Sequence, residues 1–218
     1  MSKCLVILSG GMDSTTVLFK MIDIFGKENV EAISFDYNQR HKKELEMAKK
    51  STEKLGVKHT IIPVHNIFSN SALTGDKEVP EGHYNDENMK QTVVPFRNTV
   101  FLSIAMAVAG ARGIENIAIG THLGDNSIYP DCRTEYIQVM RLVGLLGDYK
   151  KINIIAPFQN TNKYGILKEG IKLGVDYSLT WTCYKGGEKA CGKCGSCIER
   201  LEAFEKNGLK DPLQYEED

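Results

Sequence analysis

The chain has 218 residues, a formal net charge of -1 and six cysteines. That length allows one domain, or one domain with a small appendage, with enough residues for a real core. The balanced charge gives no global basic field and argues against a nucleic-acid partner. Nothing at the start reads as a signal peptide, and the longest apolar run, Thr99–Ala109, is too short to span a bilayer, so a cytoplasmic chain with no membrane partner is expected.

Lys3–Leu8 reads as a buried strand running into Ser9-Gly10-Gly11-Met12-Asp13-Ser14. Thr15, Val17, Leu18, Met21, Ile22 and Phe25 then recur at helical spacing, and Asp13, Ser14 and Thr15 suit a helix's first turn. A strand, a glycine turn and a helix N-terminus aim several N–H groups at one point, the geometry that holds a phosphate. No Lys-Ser/Thr pair follows the glycines, so this is not a Walker A loop. Val30–Phe35 is a second strand, Glu44–Leu55 a helix and Thr60–Val64 a third strand. Helices between short apolar strands imply parallel crossovers, with ligands beyond the carboxyl ends of the strands.

Arg40 and His41 after the second strand place cations at a helix start, a conflict that a bound anion would remove. Lys42 and Lys43 beside them read as solvated charge. Residues 66–93 are long, polar and weakly periodic, as expected of a lid over a ligand. Arg97–Arg112 is apolar on nearly all sides and should be a buried helix, with Arg97 needing an anionic partner. Asn116–Ile119 is a fourth strand, ending in a loop that holds His122, Asp125, Tyr129, Asp131, Cys132 and Arg133; Cys132 is a pocket lining or a nucleophile. A helix over Glu135–Leu146, a strand over Ile152–Ile155 and a helix from Lys163 to Leu173 follow.

Cys183, Cys191, Cys194 and Cys197 are separated by seven, two and two residues, with Gly192 and Gly195 in the turns. Four thiolates at that spacing suit tetrahedral Zn²⁺, and a fully protein-ligated ion is structural, not catalytic. The ferredoxin pattern fits less well, because no Cys-Pro follows three residues on. Cys4 reads as core, and Cys194–Asn207 as a helix. The expected fold is α/β, a doubly wound, mostly parallel sheet, with a nucleotide-binding domain over residues 1–180 and a zinc-bearing helical appendage over 181–218.

Ser-Gly-Gly-x-Asp-Ser resembles the PP-loop of the N-type ATP pyrophosphatases. Together with residues 35–41, Val94–Asn98, Tyr129-Pro130-Asp131-Cys132-Arg133 and the cysteine spacing, the chain resembles the 7-cyano-7-deazaguanine synthases over roughly residues 3–212. The resemblance implies that ATP adenylates the carboxylate of 7-carboxy-7-deazaguanine, ammonia displaces AMP to give the amide, and a second ATP converts the amide to the nitrile. It implies structural zinc, Mg²⁺ with ATP, and a homodimer. On this reading Leu8, Ser9, Gly10, Gly11, Met12, Asp13, Ser14, Thr15, Thr16, Val17 and Leu18 hold ATP, and Asp13 is a water-mediated Mg²⁺ ligand. Arg97 and Lys163 neutralise phosphate charge. Asp131 or Asp125 accepts from the guanine-like edge, Arg133 or Arg40 pairs with the substrate carboxylate, and Phe35, Tyr37 or Tyr129 stacks on the ring, with His41 nearby. Asn38 and Ile128 stand where the family has Gly, Gly165 where an acidic residue is common, and Thr121-His122 is unusual. Asn38 tolerates a left-handed backbone, whereas Ile128 does not, so the loop before Tyr129 is expected to differ in shape. An amide-releasing variant would carry the same motifs. Two readings from other classes are a tRNA thiolase, disfavoured by the near-neutral charge, and a non-catalytic zinc-bearing adaptor that only binds nucleotide, disfavoured by the density of polar groups at the strand ends.

Overall fold

Five short apolar runs become the strands β1 (Cys4–Ile7), β2 (Val30–Asp36), β3 (Lys58–Pro63), β4 (Asn116–Ala118) and β5 (Asn153–Ile155). They form one parallel sheet in the order β3-β2-β1-β4-β5. A parallel sheet covered on both faces has no wet side, which is why β1 is buried at all four positions and reads as an unbroken apolar run. The computed structural model describes residues 2–69, 71–75, 77–83 and 87–217.

The helices are α1 (Met12–Phe25), α2 (Lys43–Leu55), α3 (Arg97–Arg112), α4 (Thr134–Leu146), α5 (Lys163–Lys172) and α6 (Gly195–Lys206). Leu5, Ile7, Ile33 and Ile117 point to one face of the sheet and pack with Leu102, Ala105 and Ala109 of α3 and Ile137 and Met140 of α4. Cys4, Val6, Leu8, Ala32 and Ala118 point to the other and pack with Val17, Leu18 and Met21 of α1, Ala48 of α2 and Ile166 of α5. The chain reverses direction across the sheet between β1 and β4, so the loops after these two strands face one crevice.

Two expectations are revised. The α3 helix is not buried all round: Phe101, Leu102, Ala105 and Ala109 face the sheet, while Ser103 and Ala107 are exposed. By length and composition the stretch Glu87–Arg112 could cross a membrane. The continuous α3 is only 16 residues, Phe96 before it sits in a left-handed turn, and its apolar face is taken up by the sheet. Secondly, the segment over 66–93 is not structureless. Ser71, Ala72 and Leu73 are buried, Arg40 N–H donates to Leu73 C=O, and a 3-10 turn runs over Glu87–Thr92. Residues 70, 76 and 84–86 of that expected lid lie outside the described residues.

Candidate active site

The turn after β1 is held by its own side chains. Ser14 Oγ accepts from Ser9 N–H at 3.1 Å and meets Ser9 Oγ at 2.9 Å, and Ser9 Oγ accepts from Gly11 N–H at 3.1 Å. Gly10 has φ +91, and a β-carbon there would lie 1.9 Å from Glu44 C=O of α2, so only glycine fits. Its own C=O accepts from Trp181 N–H at 2.9 Å, which ties the turn to the chain leading into the cysteines. Gly120, after β4, lies against the start of α1: a β-carbon would be 3.1 Å from Ser14 N, a tight contact. The start of α1 therefore opens onto a cleft of about 1060 Å³, open solvent included, between these two turns. A helix N-terminus behind a pre-shaped loop favours an anion.

Arg97 and Tyr37 form one wall of the cleft, with Arg97 Nη1 donating to Tyr37 Oη at 3.4 Å. Burial alone would favour a neutral guanidinium, but Tyr37, Asp131 and Cys132 hold its pKa well above the ordinary value, so Arg97 carries its charge into the cleft. Gln39 braces this wall by accepting from Tyr37 N–H and donating to Phe35 C=O. Asn38, at φ 62, makes the tight turn between them. Burial raises the phenols of Tyr37, Tyr129 and Tyr184, so all three line the cleft as neutral hydrogen-bonding aromatics.

Opposite them, Lys163 starts α5 behind the Asn162 cap, whose side chain accepts from Gly165 N–H. Its Nζ lies 3.0 Å from Asp13 Oδ2 and 3.0 Å from Glu199 Oε2 of α6. Burial pulls its pKa down, but Asp13, Glu199 and Asp125 outweigh that and leave it above the ordinary lysine value. Asp13 is shifted the other way: burial raises it, Lys163 and His122 lower it further, and the net shift is downward. Asp13 Oδ1 and His122 Nε2 are buried without a hydrogen-bond partner among the described residues. Asp125 takes His122 N–H on Oδ2 at 3.0 Å and lines the cleft.

The four C-terminal cysteines are all buried, and their Sγ atoms lie within 4.8 Å of one another. Cys183 Sγ accepts from Cys191 N–H and Cys191 Sγ from Cys194 N–H, both at 3.3 Å, as thiolates around a cation do. Four sulfurs each about 2.3 Å from one Zn²⁺ would sit roughly 3.8 Å apart, so the set fits a metal as it stands.

A family model for the queuosine biosynthesis protein QueC matches residues 3–208. The chain belongs to the QueC family. Among its relatives, a 7-cyano-7-deazaguanine synthase from Caldicellulosiruptor saccharolyticus is 53% identical over 218 residues, covering 98% of this chain and 96% of that protein. One from Psychromonas ingrahamii is 50% identical over 219 residues, covering 99% of this chain and 98% of its own. The near-complete coverage of the QueC model includes the turn after β1, the cleft walls and all four cysteines.

Within this QueC chain, Leu8, Ser9, Gly11, Met12, Asp13, Ser14, Tyr37, His41, Arg97, Asp125, Tyr129 and Lys163 line the cleft together. Gly10 turns beneath α2, and Thr15 to Leu18 continue as the buried side of α1. Three residues named as substrate readers point elsewhere. The Arg40 guanidinium donates to Gly75 C=O at 2.7 and 2.9 Å, and Arg133 Nε donates to Asn126 C=O at 3.0 Å. Asp131 Oδ2 accepts from Asn98 N–H at 2.9 Å, in the first turn of α3. Each is already occupied by backbone and none lines the cleft. Cys132 lines it as a buried thiol whose pKa burial drives well above the ordinary value, which makes it lining and not a nucleophile. Ile128 sits in the right-handed region, buried against Met89 and Tyr129, so no strain follows from its branched side chain. Sequence reasoning passed over Glu44, Trp181, Tyr184 and Glu199. For Glu44 the signal was its position one turn after His41, on the same helix face as Ala48.

Proposed function

We propose that the chain makes 7-cyano-7-deazaguanine from 7-carboxy-7-deazaguanine and ammonia, spending two ATP, each cleaved to AMP and pyrophosphate. The reading rests on one observation: a match to the QueC family over residues 3–208, in a chain whose turn after β1, Arg97, Tyr37 and Lys163 line a single cleft. The turn over residues 8–14 would receive the β- and γ-phosphates. Arg97 and Lys163 would stabilise charge as the α–β bond breaks. Mg²⁺ would accompany ATP and offset the phosphate charge, and the unpartnered Oδ1 of Asp13 fits a water of its shell. Tyr37, Tyr129 and Tyr184 would hold the bicyclic ring, and Asp125, not Asp131, is the carboxylate in place to accept from its N–H groups. The metal at Cys183, Cys191, Cys194 and Cys197 is Zn²⁺ in a structural role, and residues 181–218 act as its appendage to a catalytic domain over 1–180. The working form is a cytoplasmic homodimer that acts on small molecules without nucleic acid or membrane.

The test is direct. Protein, ATP, Mg²⁺, ammonia and 7-carboxy-7-deazaguanine are incubated and products identified by mass spectrometry. Nitrile with two AMP and two pyrophosphate per turnover is expected. Release of the amide would move the chain to the amide-forming variant of the reaction, and ADP with orthophosphate would overturn the reading.

A further inference from the structure

The nitrogen source has no site among the groups assigned so far. Glu44, in the first turn of α2, offers one. Its side chain is 13% exposed, lines the cleft, and has His41 Nε2 at 3.5 Å as its one hydrogen-bond or ion-pair partner among the described residues. A β-carbon on Gly11 would meet Glu44 Oε1 at 3.7 Å, which puts the carboxylate beside the phosphate turn. On its other side the His41 ring faces Tyr184, with centroids 5.7 Å apart. His41 is itself buried, and its Nδ1 has no hydrogen-bond partner among the described residues. A carboxylate and an imidazole thus stand between the phosphate turn and the aromatic wall, where an acyl phosphate would form. Among the described residues neither has an ion pair with a lysine or arginine, and Arg97 and Lys163 act on Glu44 only through space. A carboxylate facing a cleft in that state selects a small cationic ligand with N–H groups to give.

We propose that Glu44 and His41 bind ammonium and that Glu44 takes its proton, releasing ammonia onto the adenylated substrate. The proposal rests on the functional reading above. One N–H bond of ammonium breaks and its proton passes to the Glu44 carboxylate. The freed nitrogen lone pair forms the C–N bond at the acyl carbon. The C–O bond to AMP breaks with its electron pair going to the phosphate oxygen, and the surplus proton on nitrogen leaves with the phosphate.

The charges around the pair suit this role. Burial raises the Glu44 carboxyl, Arg97 and Lys163 lower it and Asp13 raises it, leaving it up at about 8. Tyr37 beside Glu44 and Tyr184 beside His41 stay neutral phenols. Burial and Arg97 press His41 down to about 3, so its ring is uncharged and does not compete with ammonium for the carboxylate. Ammonium entering beside Glu44 favours its ionised form, and a proton acceptor near 8 is far better matched to ammonium than an ordinary glutamate.

The test uses Glu44→Gln in the full-length protein and separates three readouts: substrate-dependent exchange of labelled pyrophosphate into ATP, product formation with ammonia, and hydroxamate formation with hydroxylamine. Hydroxylamine is uncharged at neutral pH and needs no deprotonation. The expected result is exchange retained, ammonia-dependent kcat/KM lowered roughly 100-fold or more, and hydroxamate formation within about threefold of wild type. Glu44→Asp should recover part of the ammonia rate. Loss of exchange together with ammonia turnover, an equal loss with hydroxylamine, or full ammonia turnover in Glu44→Gln would each overturn the proposal. If the wild-type protein shows no substrate-dependent exchange, the functional reading itself fails and the ammonium site goes with it.

Discussion

Replacing Lys163 with Met should leave the Asp13 and Glu199 carboxylates without the ammonium that lies between them. The ammonium lies 3.0 Å from Asp13 and from Glu199. At an effective dielectric of about 20, each contact is worth about 5–6 kcal/mol of attraction, opposed by several kcal/mol for desolvating the ammonium. Removing the one cation leaves the desolvation of both carboxylates uncompensated, which costs about 3–5 kcal/mol. Urea unfolding of wild type, Lys163→Met, Glu199→Gln and the double variant gives the cycle. The double variant should recover part of the loss, with a coupling of about 1–3 kcal/mol. The pH dependence has a definite sign. In the wild type, Asp13 has a lowered pKa, so it contributes stability above 3.8, lost as pH falls through the folded value. In Lys163→Met, Asp13 loses the first of the charges that lower it while the burial that raises it stays, so its pKa moves up, and the deficit at neutral pH shrinks as pH falls through that raised value. A single-variant loss under about 1 kcal/mol, or additive behaviour in the cycle, would refute the reasoning.

Four further outcomes can be checked. Glu44→Gln should stabilise the ligand-free protein at high pH: the folded carboxyl sits at about 8 against 4.5, so the native state holds the extra proton and wild-type stability falls as pH rises from 4.5 to about 8, by a ceiling of about 5 kcal/mol. Melting curves at pH 5 and 8.5 would show the gap opening. Gly10→Ala should abolish nucleotide binding or folding, because its β-carbon would overlap Glu44 C=O, whereas Gly208→Ala, with open space around it, should cost only about 1 kcal/mol from its left-handed φ of +68, both read by circular dichroism and ATP titration. Asp131→Ala should cost about 1 kcal/mol through the lost first-turn contact to Asn98, with substrate affinity by calorimetry little changed. Thiol-specific release of the metal should shift the emission of Trp181, the one tryptophan, in step with zinc appearing in solution, because its indole N–H donates to Cys183 C=O at 3.0 Å.

The strands were legible because a parallel sheet buried on both faces needs continuous apolar runs, and Val30–Asp36 or Asn116–Ala118 could satisfy that need in no other way. The start of α5 was legible from Asn162, whose side chain makes the cap that its type predicts. Side-chain direction in the loops was not. Arg40 and Arg133 sit in motifs crowded with polar groups, yet their donors go to the carbonyls of Gly75 and Asn126. Which carbonyl comes within reach is settled by the path of residues 71–75 and 123–127 in three dimensions, and no local spacing encodes it. Glu44 was hidden for the opposite reason. It stands in Lys42-Lys43-Glu44-Leu45-Glu46, a run that reads as a solvated helix face, and only the approach of Gly10 and Gly11 to α2 buries it. The breadth of apolar character in α3 misled because Ser103 and Ala107 are small enough to face solvent at little cost.

The cysteine segment reaches the turn after β1 and the start of α1 by three separate routes. Trp181 N–H binds Gly10 C=O within the turn itself. Glu199, two residues after Cys197 on α6, holds Lys163. Arg200, fully buried, pairs with Asp211 through Nε at 2.7 Å and Nη2 at 3.0 Å, and reaches Thr180, Thr182 and Tyr177 C=O; the Tyr177 hydroxyl in turn meets Thr16 of α1 at 2.8 Å. A buried guanidinium with this many partners is costly to move and adopts one arrangement. A metal held by the four cysteines would fix the start of α6, which carries Glu199 and Arg200, and these hold Lys163 and, through Tyr177, α1 on the walls of the cleft. On the proposed function, an ion with no open coordination position would then govern nucleotide affinity while taking no part in the chemistry.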